Sequence, residues 1–444
     1  MRNEWNVMRM WLQGFQRWYI SLILANLVMG MSSVLIPLKI SLVFHLDAQQ
    51  LGLAAALGSL AAVVGSLIWG RLSDAAHRRK IFVIASYAMV GLAHIGLALT
   101  QSFAGLLIYN AALSFFWVAN ASVAVLLVIE GADQSLWESR IGSLNQSGAF
   151  GWLSGLVLGG TIIGAVLART SVSTGISLLL GLLAVIAFIA SGNAAVTIAP
   201  VVATFTRRRF RGIAIAEGNL LPEAWKFSPL HLYHRLSPSR LRFLSRRVRV
   251  FLLSTFLAFT GIAFFAVPLP LVLSQELGFS STLVFFCYVA LHSGVVITYP
   301  LAIRRVRRQG GERAHVGALL VRSALFVGAA AILWTGTHIV WWTVLPFMAL
   351  IGGTWAVFQL SGVALAARFA KPENRGLALG SYTAVAGIST SAAGICAGTV
   401  ARNVGYHVSL LVSVLFLVAA AIGIALLRAP SESEVPVAVV QSED

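Results

Sequence analysis

Apolar residues come along this chain in twelve long, nearly uncharged runs, separated by short polar stretches. The runs cover 19–44, 50–69, 81–100, 103–130, 141–168, 174–198, 250–275, 281–302, 316–335, 338–366, 376–400 and 405–428. A hydrocarbon core about 30 Å thick takes about 20 helical residues to cross. Hydrocarbon offers no partner to an exposed peptide group, so each run must satisfy its own backbone as a helix. The pattern predicts an all-α, polytopic membrane protein of twelve transmembrane helices.

Composition closes off the soluble alternative. Of 444 residues 58% are hydrophobic and 11% charged, whereas a soluble chain carries about 25% charged residues to cover its surface. Cys287 and Cys396 both fall inside apolar runs and outside any metal-ligand spacing, so both read as small packing residues. The N-terminus, with Glu4 and three arginines before a long apolar run, does not read as a cleavable signal.

The net charge of +17 becomes informative only when it is placed on the runs. All but four of the 32 Lys and Arg fall on the side that carries both termini. The exceptions are Arg169 and Arg402 in opposite loops, and Lys39 and Arg322, which lie near the ends of predicted spans and are expected to snorkel. Lys39 is also placed to attract anions near the outer mouth. Basic residues concentrate on cytoplasmic loops, so the termini are expected in the cytoplasm of a multi-pass cell-membrane protein. The charge then reads as topology and lipid-headgroup contact, and nucleic-acid binding is disfavoured.

The spans divide six and six. A cytoplasmic N-terminus (1–18) precedes a first bundle (19–198), a basic linker (199–249), a second bundle (250–428) and an acidic tail (429–444) expected to be disordered. The halves echo each other: Glu138-Ser139-Arg140 and Gly159 return 235 positions later as Glu373-Asn374-Arg375 and Gly394. Internal repeats of this kind are common in secondary transporters.

Two motifs sharpen the reading. Between spans two and three stands Gly70-Arg71-Leu72-Ser73-Asp74-Ala75-Ala76-His77-Arg78-Arg79-Lys80. It resembles the signature loop of the major facilitator superfamily, with Gly70, Asp74, Arg78 and Arg79 on pattern positions and Ala75 and His77 departing from it. The resemblance implies a cytoplasmic latch between the halves, which Glu130 is placed to join. Span five carries Gly142, Gly151, Gly155, Gly159 and Gly160, spaced as in the superfamily's antiporter motif, with Leu156 where that motif has proline. Glycines four apart let helix backbones approach closely. This likeness is to drug-efflux and antiporter-type members. The arginine that many proton-coupled members carry in span four is absent, since 109–128 holds no Arg or Lys.

The resemblance implies a central cavity lined by spans one, two, four and five and their counterparts. Asn26, Gly30, Ser33 and Pro37 share one face of span one. Asn110, Trp117 and Asn120 lie on span four, His292 on span eight, Trp355 and Gln359 on span ten, and Tyr382 on span eleven. Buried amides need partners and favour the bundle interior, and with aromatics they suit a neutral or amphipathic organic molecule. Each could equally serve interhelical packing. No carboxylate stands at mid-membrane, so coupling through a central Asp or Glu is disfavoured, and His292 is the remaining proton carrier.

The expectation is a secondary transporter, an exporter of a small amphipathic compound, monomeric in the lipid, with a proton or sodium as candidate coupling ion and no metal or cofactor. A sugar or metabolite importer of the same fold, or a non-transporting receptor or scaffold, stays open. Membrane-enzyme chemistry is disfavoured because Asp133 and Glu138 are too sparse for an acidic metal cluster.

Overall fold

A computed structural model of the chain describes residues 16–76, 79–129, 137–198, 245–335, 340–369 and 375–427. These residues form twelve helices long and apolar enough to cross a membrane. The first bundle holds α1 (Tyr19–Leu38), α2 (Ala48–Ala76), α3 (Arg79–Leu99), α4 (Phe103–Ile129), α5 (Trp137–Leu167) and α6 (Val172–Thr197). The second holds α7 (Arg246–Ala266), α8 (Ser281–Gln309), α9 (Gly311–Thr335), α10 (Trp341–Phe369), α11 (Arg375–Asn403) and α12 (Tyr406–Leu426). The chain lacks no span that the apolar runs predicted. Serine side chains cap three N-termini: Ser171, Ser245 and Ser280 accept from the backbone N–H three residues on.

The bundles repeat one packing scheme. In the first, α1 packs on α5 and α6, α2 on α4, and α3 on α4 and α6; in the second, α7 packs on α11 and α12, α8 on α10, and α9 on α10 and α12. The halves meet through α2 against α11 and α5 against α8, two interfaces that interchange under the same repeat. The closest crossings depend on glycine. A methyl group on Gly151 or Gly155 would overlap the carbonyls of Ile23 or Leu27 on α1, and one on Gly352 would overlap the Leu291 carbonyl on α8.

Several helices continue beyond their apolar runs on the side of the termini, α2 to Ala76 and α8 to Gln309. Arg304, Arg305, Arg307 and Arg308, expected in a loop, lie on the last turns of α8, and α9 follows after Gly310 alone, in the left-handed region at φ 81°. Long basic side chains on helix ends reach the headgroups while their stems cover apolar surface, so hydropathy understates these helices.

Two expectations for charged residues are corrected. Lys39 is 2% exposed, and its Nζ donates to the carbonyls of Leu97, Ala98 and Thr100 at the C-terminal end of α3. It fills the unpaired acceptors of that helix end instead of facing an anion at an outer mouth. Arg322 does not snorkel: it is 4% exposed, in the middle of the 25-residue α9. Cys287 is buried as expected of a packing residue, whereas Cys396 is exposed on α11.

Candidate functional site

Three adjoining cavities run along the first half, and the middle one is shared with the second half. The one nearest the termini, about 260 Å³, is lined by Asn26, Trp117, Asn120, Leu144, Asn145 and Gly148. The next, about 190 Å³, shares Asn26 and Gly148 with it and is closed by Trp152, His292 and Val295. The third, also about 190 Å³, shares Trp152 and extends past Ser32, Ser33, Pro37 and Asn110.

The amides of the first half are each held by one hydrogen bond. Asn26 Nδ2 donates to the Leu22 carbonyl (2.9 Å), Asn110 Nδ2 to the Ala54 carbonyl (3.0 Å), and Asn120 Oδ1 accepts from the Tyr87 hydroxyl (2.8 Å). One bond fixes each side chain and leaves the other end of its amide for a ligand. The resulting wall offers acceptors from Asn26 and Asn110 and a donor from Asn120.

Trp152, on α5, was not singled out by its sequence position, which lies among glycines that speak for packing. Its indole ring stands 5.8 Å from the His292 ring across the boundary of the halves, and its Nε1 is buried without a hydrogen-bond partner. A buried donor left unpaired costs about 1–3 kcal/mol, so a ligand acceptor there recovers that cost. Its signal in the sequence was its place on span five, a helix already expected to face the cavity.

Apart from His292, the expected residues of the second half gather elsewhere. Trp355 packs edge-on against Phe259 (6.0 Å, 89°) and beside Phe358, while Tyr382 stacks on Phe251 (5.8 Å, 13°). Gln359 Oε1 and the Tyr382 hydroxyl are buried without partners. Arg322 approaches from behind: its Nε donates to Thr354 Oγ1 and its Nη2 to the Ile351 carbonyl, both at 2.9 Å, and its guanidinium carbon lies 5.7 Å from the Trp355 ring centre. Trp355, Gln359 and Tyr382 thus form an aromatic cluster of the second half that lines none of the three cavities.

Contacts between the halves occupy the ends of these helices away from the termini. Gly52 and Ala48 of α2 receive Gly394 and Gly398 of α11 at backbone contact, and Ser391 Oγ donates to the Ala56 carbonyl (2.8 Å). Above them Arg402 pairs with Asp47 (2.9 Å) and donates to Gln49 (2.6 Å). On the other interface Gly159 and Gly160 pack on Phe285 and Gly164 approaches Thr282. The glycine motif of α5 thus splits: Gly151 and Gly155 pack within the first half, Gly159 and Gly160 against the second.

Of the signature loop, Gly70 and Asp74 belong to the end of α2 and Arg79 opens α3. Arg78, Glu130, and the surroundings of Gly70, Asp74 and Gly142 lie outside the described residues.

Known structures share this architecture. A point mutant of the nucleoside transporter NupG superposes with a TM-score of 0.68 at 13% identity, over 93% of this chain and 99% of that one. The inward-open xylose transporter XylE from E. coli gives 0.69 at 14%, over 94% and 97%. A bacterial homologue of the human lysosomal transporter Spinster, inward-facing and unoccupied, gives 0.66 at 12%, over 95% and 96%. No curated protein matches the sequence. The family model of the Major Facilitator Superfamily matches residues 18–360 and 251–442. With twelve spans in two repeated bundles and a family match over most of its length, the chain is a member of the Major Facilitator Superfamily.

Proposed function

We propose that this protein is a secondary transporter that exports a small neutral or amphipathic organic compound by alternating access. The observation that carries the reading is the run of cavities from Trp117 to Asn110, which meets the second half at His292, with the far ends of α2 and α11 drawn together beyond it. Rocking of one bundle on the other would open the far side and close the side of the termini around the same residues. The distribution of basic residues supports a cytoplasmic location for the termini, so the conformation described is open inward. The α5 glycines, set as in antiporters, favour export. His292 is the proposed proton carrier should a proton drive the cycle, and the protein works as a monomer in the lipid of the cell membrane.

The test is chemical crosslinking in a background without Cys287 and Cys396. Cysteines at Ala56 and Ser391 joined by a short bismaleimide should block transport, and labelling on the side of the termini should then rise. Gates that open together would sink alternating access. A second reading, uptake of a sugar or metabolite, draws on structural neighbours that are nucleoside and xylose transporters. Extrusion against uptake of labelled compounds by oriented vesicles separates the two.

A further inference from the structure

Carboxamide side chains from three helices meet in one place. Asn26 of α1, Asn120 of α4 and Asn145 of α5 all line the cavity of about 260 Å³ nearest the termini, together with Trp117. Helical spacing brings them there: Trp117 and Asn120 lie three positions apart on α4, and Asn145 and Gly148 three apart on α5. Gly148 leaves room between them, since a methyl group there would already touch the Asn26 amide at 3.5 Å. The remaining walls are apolar, from Leu22, Ala124, Leu144 and Ala149. Among the described residues no Asp, Glu, Lys or Arg lines this cavity.

The hydrogen bonds already made decide what is left over. Asn26 spends an N–H on the Leu22 carbonyl, and its Oδ1 receives no donor among the described residues. Asn120 spends its Oδ1 on the Tyr87 hydroxyl, and its Nδ2 finds no acceptor there. Asn145 is exposed to the cavity and makes no side-chain hydrogen bond among the described residues. Three kinds of ligand fit poorly. An ion would give up hydration with no opposite charge to meet it. A hydrocarbon would strip water from three amides and pair none of them. A polyol carries more hydroxyls than three amide ends in an otherwise apolar wall can satisfy. A flat ring bearing one carbonyl beside one N–H pairs with the free acceptor and the free donor, and lays its apolar face on Leu22, Leu144 and Trp117.

We propose that the transported compound is a neutral planar molecule carrying a carboxamide or lactam group, recognised in the first half by Asn26, Asn120 and Asn145 beside Trp117. This rests on reading the cavities as the transport site, and it narrows the cargo to one chemical class. Asn26 Oδ1 accepts from the ligand's N–H, Asn120 Nδ2 donates to the ligand's carbonyl, and Asn145 pairs with either. The bonds to Leu22 and Tyr87 hold the first two amides in position before the ligand arrives, which lowers the ordering cost of binding.

The experiment compares nicotinamide with two analogues of the same ring: 3-acetylpyridine, which keeps the carbonyl and lacks the N–H, and nicotinate, an anion at neutral pH. Affinities are read by saturation-transfer NMR on the purified full-length protein in detergent, with D-xylose as the polyol control. The wild type should bind nicotinamide about tenfold more tightly than 3-acetylpyridine, the factor for one hydrogen bond whose loss strands its partner. Nicotinate should bind at least as weakly as 3-acetylpyridine. Asn26→Leu removes the acceptor at nearly constant volume, and the Leu22 carbonyl stays in the backbone ladder of α1. That variant should bind 3-acetylpyridine as the wild type does and lose the preference for nicotinamide. Equal binding of nicotinamide and 3-acetylpyridine by the wild type, binding of neither, or nicotinate or D-xylose bound as tightly as nicotinamide would overturn the proposal, and each is read without any variant. An unaltered preference in Asn26→Leu overturns it as well. Failure of the crosslinks to move reciprocally would instead remove the transport reading and leave the amide preference measurable.

Discussion

Pro37 of α1 and Pro270 beyond α7 are each followed by a π-helical turn, Lys39–Val43 and Val272–Glu276, and then by a residue in the left-handed region, His45 and Gly278. The three pairs stand 233 positions apart. One construction ends the first helix of both halves, yet its contents differ. In the first half Lys39 fills the site with a cation bonded to the end of α3; in the second, Val272 lines an apolar cavity of about 190 Å³ with Leu273, Ile332 and Phe347. A similar exchange occurs deeper. Tyr87 and Asn120 share a hydrogen bond in the first half, and 235 positions on stand Arg322 and Trp355 in cation–π contact. Backbone packing is what the repeat preserves, and side-chain chemistry is where the halves have specialised.

The sharpest break in this comparison comes from glycine. Gly155→Leu in the first half and Gly352→Leu in the second each drive a side chain into the backbone of a neighbouring helix. Overpacking a close contact costs about 1–3 kcal/mol and more where backbone cannot yield, so both variants should be lost from the monodisperse fraction in size-exclusion chromatography. Gly328→Ala, with open space around it, should behave as wild type or better, since alanine gains up to about 1 kcal/mol in a helix. Equal behaviour of all three would mean that close approach is not what holds the bundles.

Lys39→Met should come next. It leaves the carbonyls of Leu97, Ala98 and Thr100 without their donor, a loss of about 1–3 kcal/mol to be read as a lower melting temperature in detergent. Its counterpart Val272→Lys places an amine in an apolar cavity lined by Ile332 and Leu333 of the last turn of α9, whose terminal carbonyls can accept from it, and should destabilise less than Lys39→Met. A melting temperature raised by Lys39→Met would show that the cation is tolerated and not needed.

A smaller effect belongs to the far-side pair of Asp47 and Arg402, whose side chains are 38% and 47% exposed. Exposed ion pairs contribute about 0.2–1 kcal/mol, so Asp47→Asn should hardly move the melting temperature. In an equilibrium between two conformations, however, 1 kcal/mol is about a fivefold change in ratio. Labelling of a cysteine at Ser391 from the far side should therefore rise up to that much.

Much of this was legible in the chain, for reasons that particular residues show. Apolar runs reported the helices because hydrocarbon allows the backbone no other arrangement. The α5 glycines reported close packing because nothing larger fits between Gly155 and Leu27. Arg322 was misplaced because Arg304 to Arg313 read as a loop, which started span nine five residues late and moved its midpoint away from 322; in the structure one residue, Gly310, makes that turn. The Asp47–Arg402 pair was invisible because its members are 355 positions apart in short linkers, and only the closed arrangement of α2 and α11 brings them together. Trp152 was hidden among residues with another explanation.

The finest test of the repeat lies at its left-handed residues. Gly278 at φ 63° has open space around it, so Gly278→Ala adds no clash. It does add the left-handed penalty of about 1–2 kcal/mol, partly offset by about 0.4–1 kcal/mol from a stiffer unfolded chain. A net loss of about 0.5–1 kcal/mol should lower the melting temperature slightly. His45 at φ 52° already bears that penalty. His45→Gly removes it and returns the entropic cost of glycine, about 0.5–1 kcal/mol, so the two terms nearly cancel and the melting temperature should stay or rise by a degree or so. A clear fall in His45→Gly would mean that the histidine ring holds the α1–α2 turn by a contact its partner turn lacks, and the two helix ends would then be alike in backbone only.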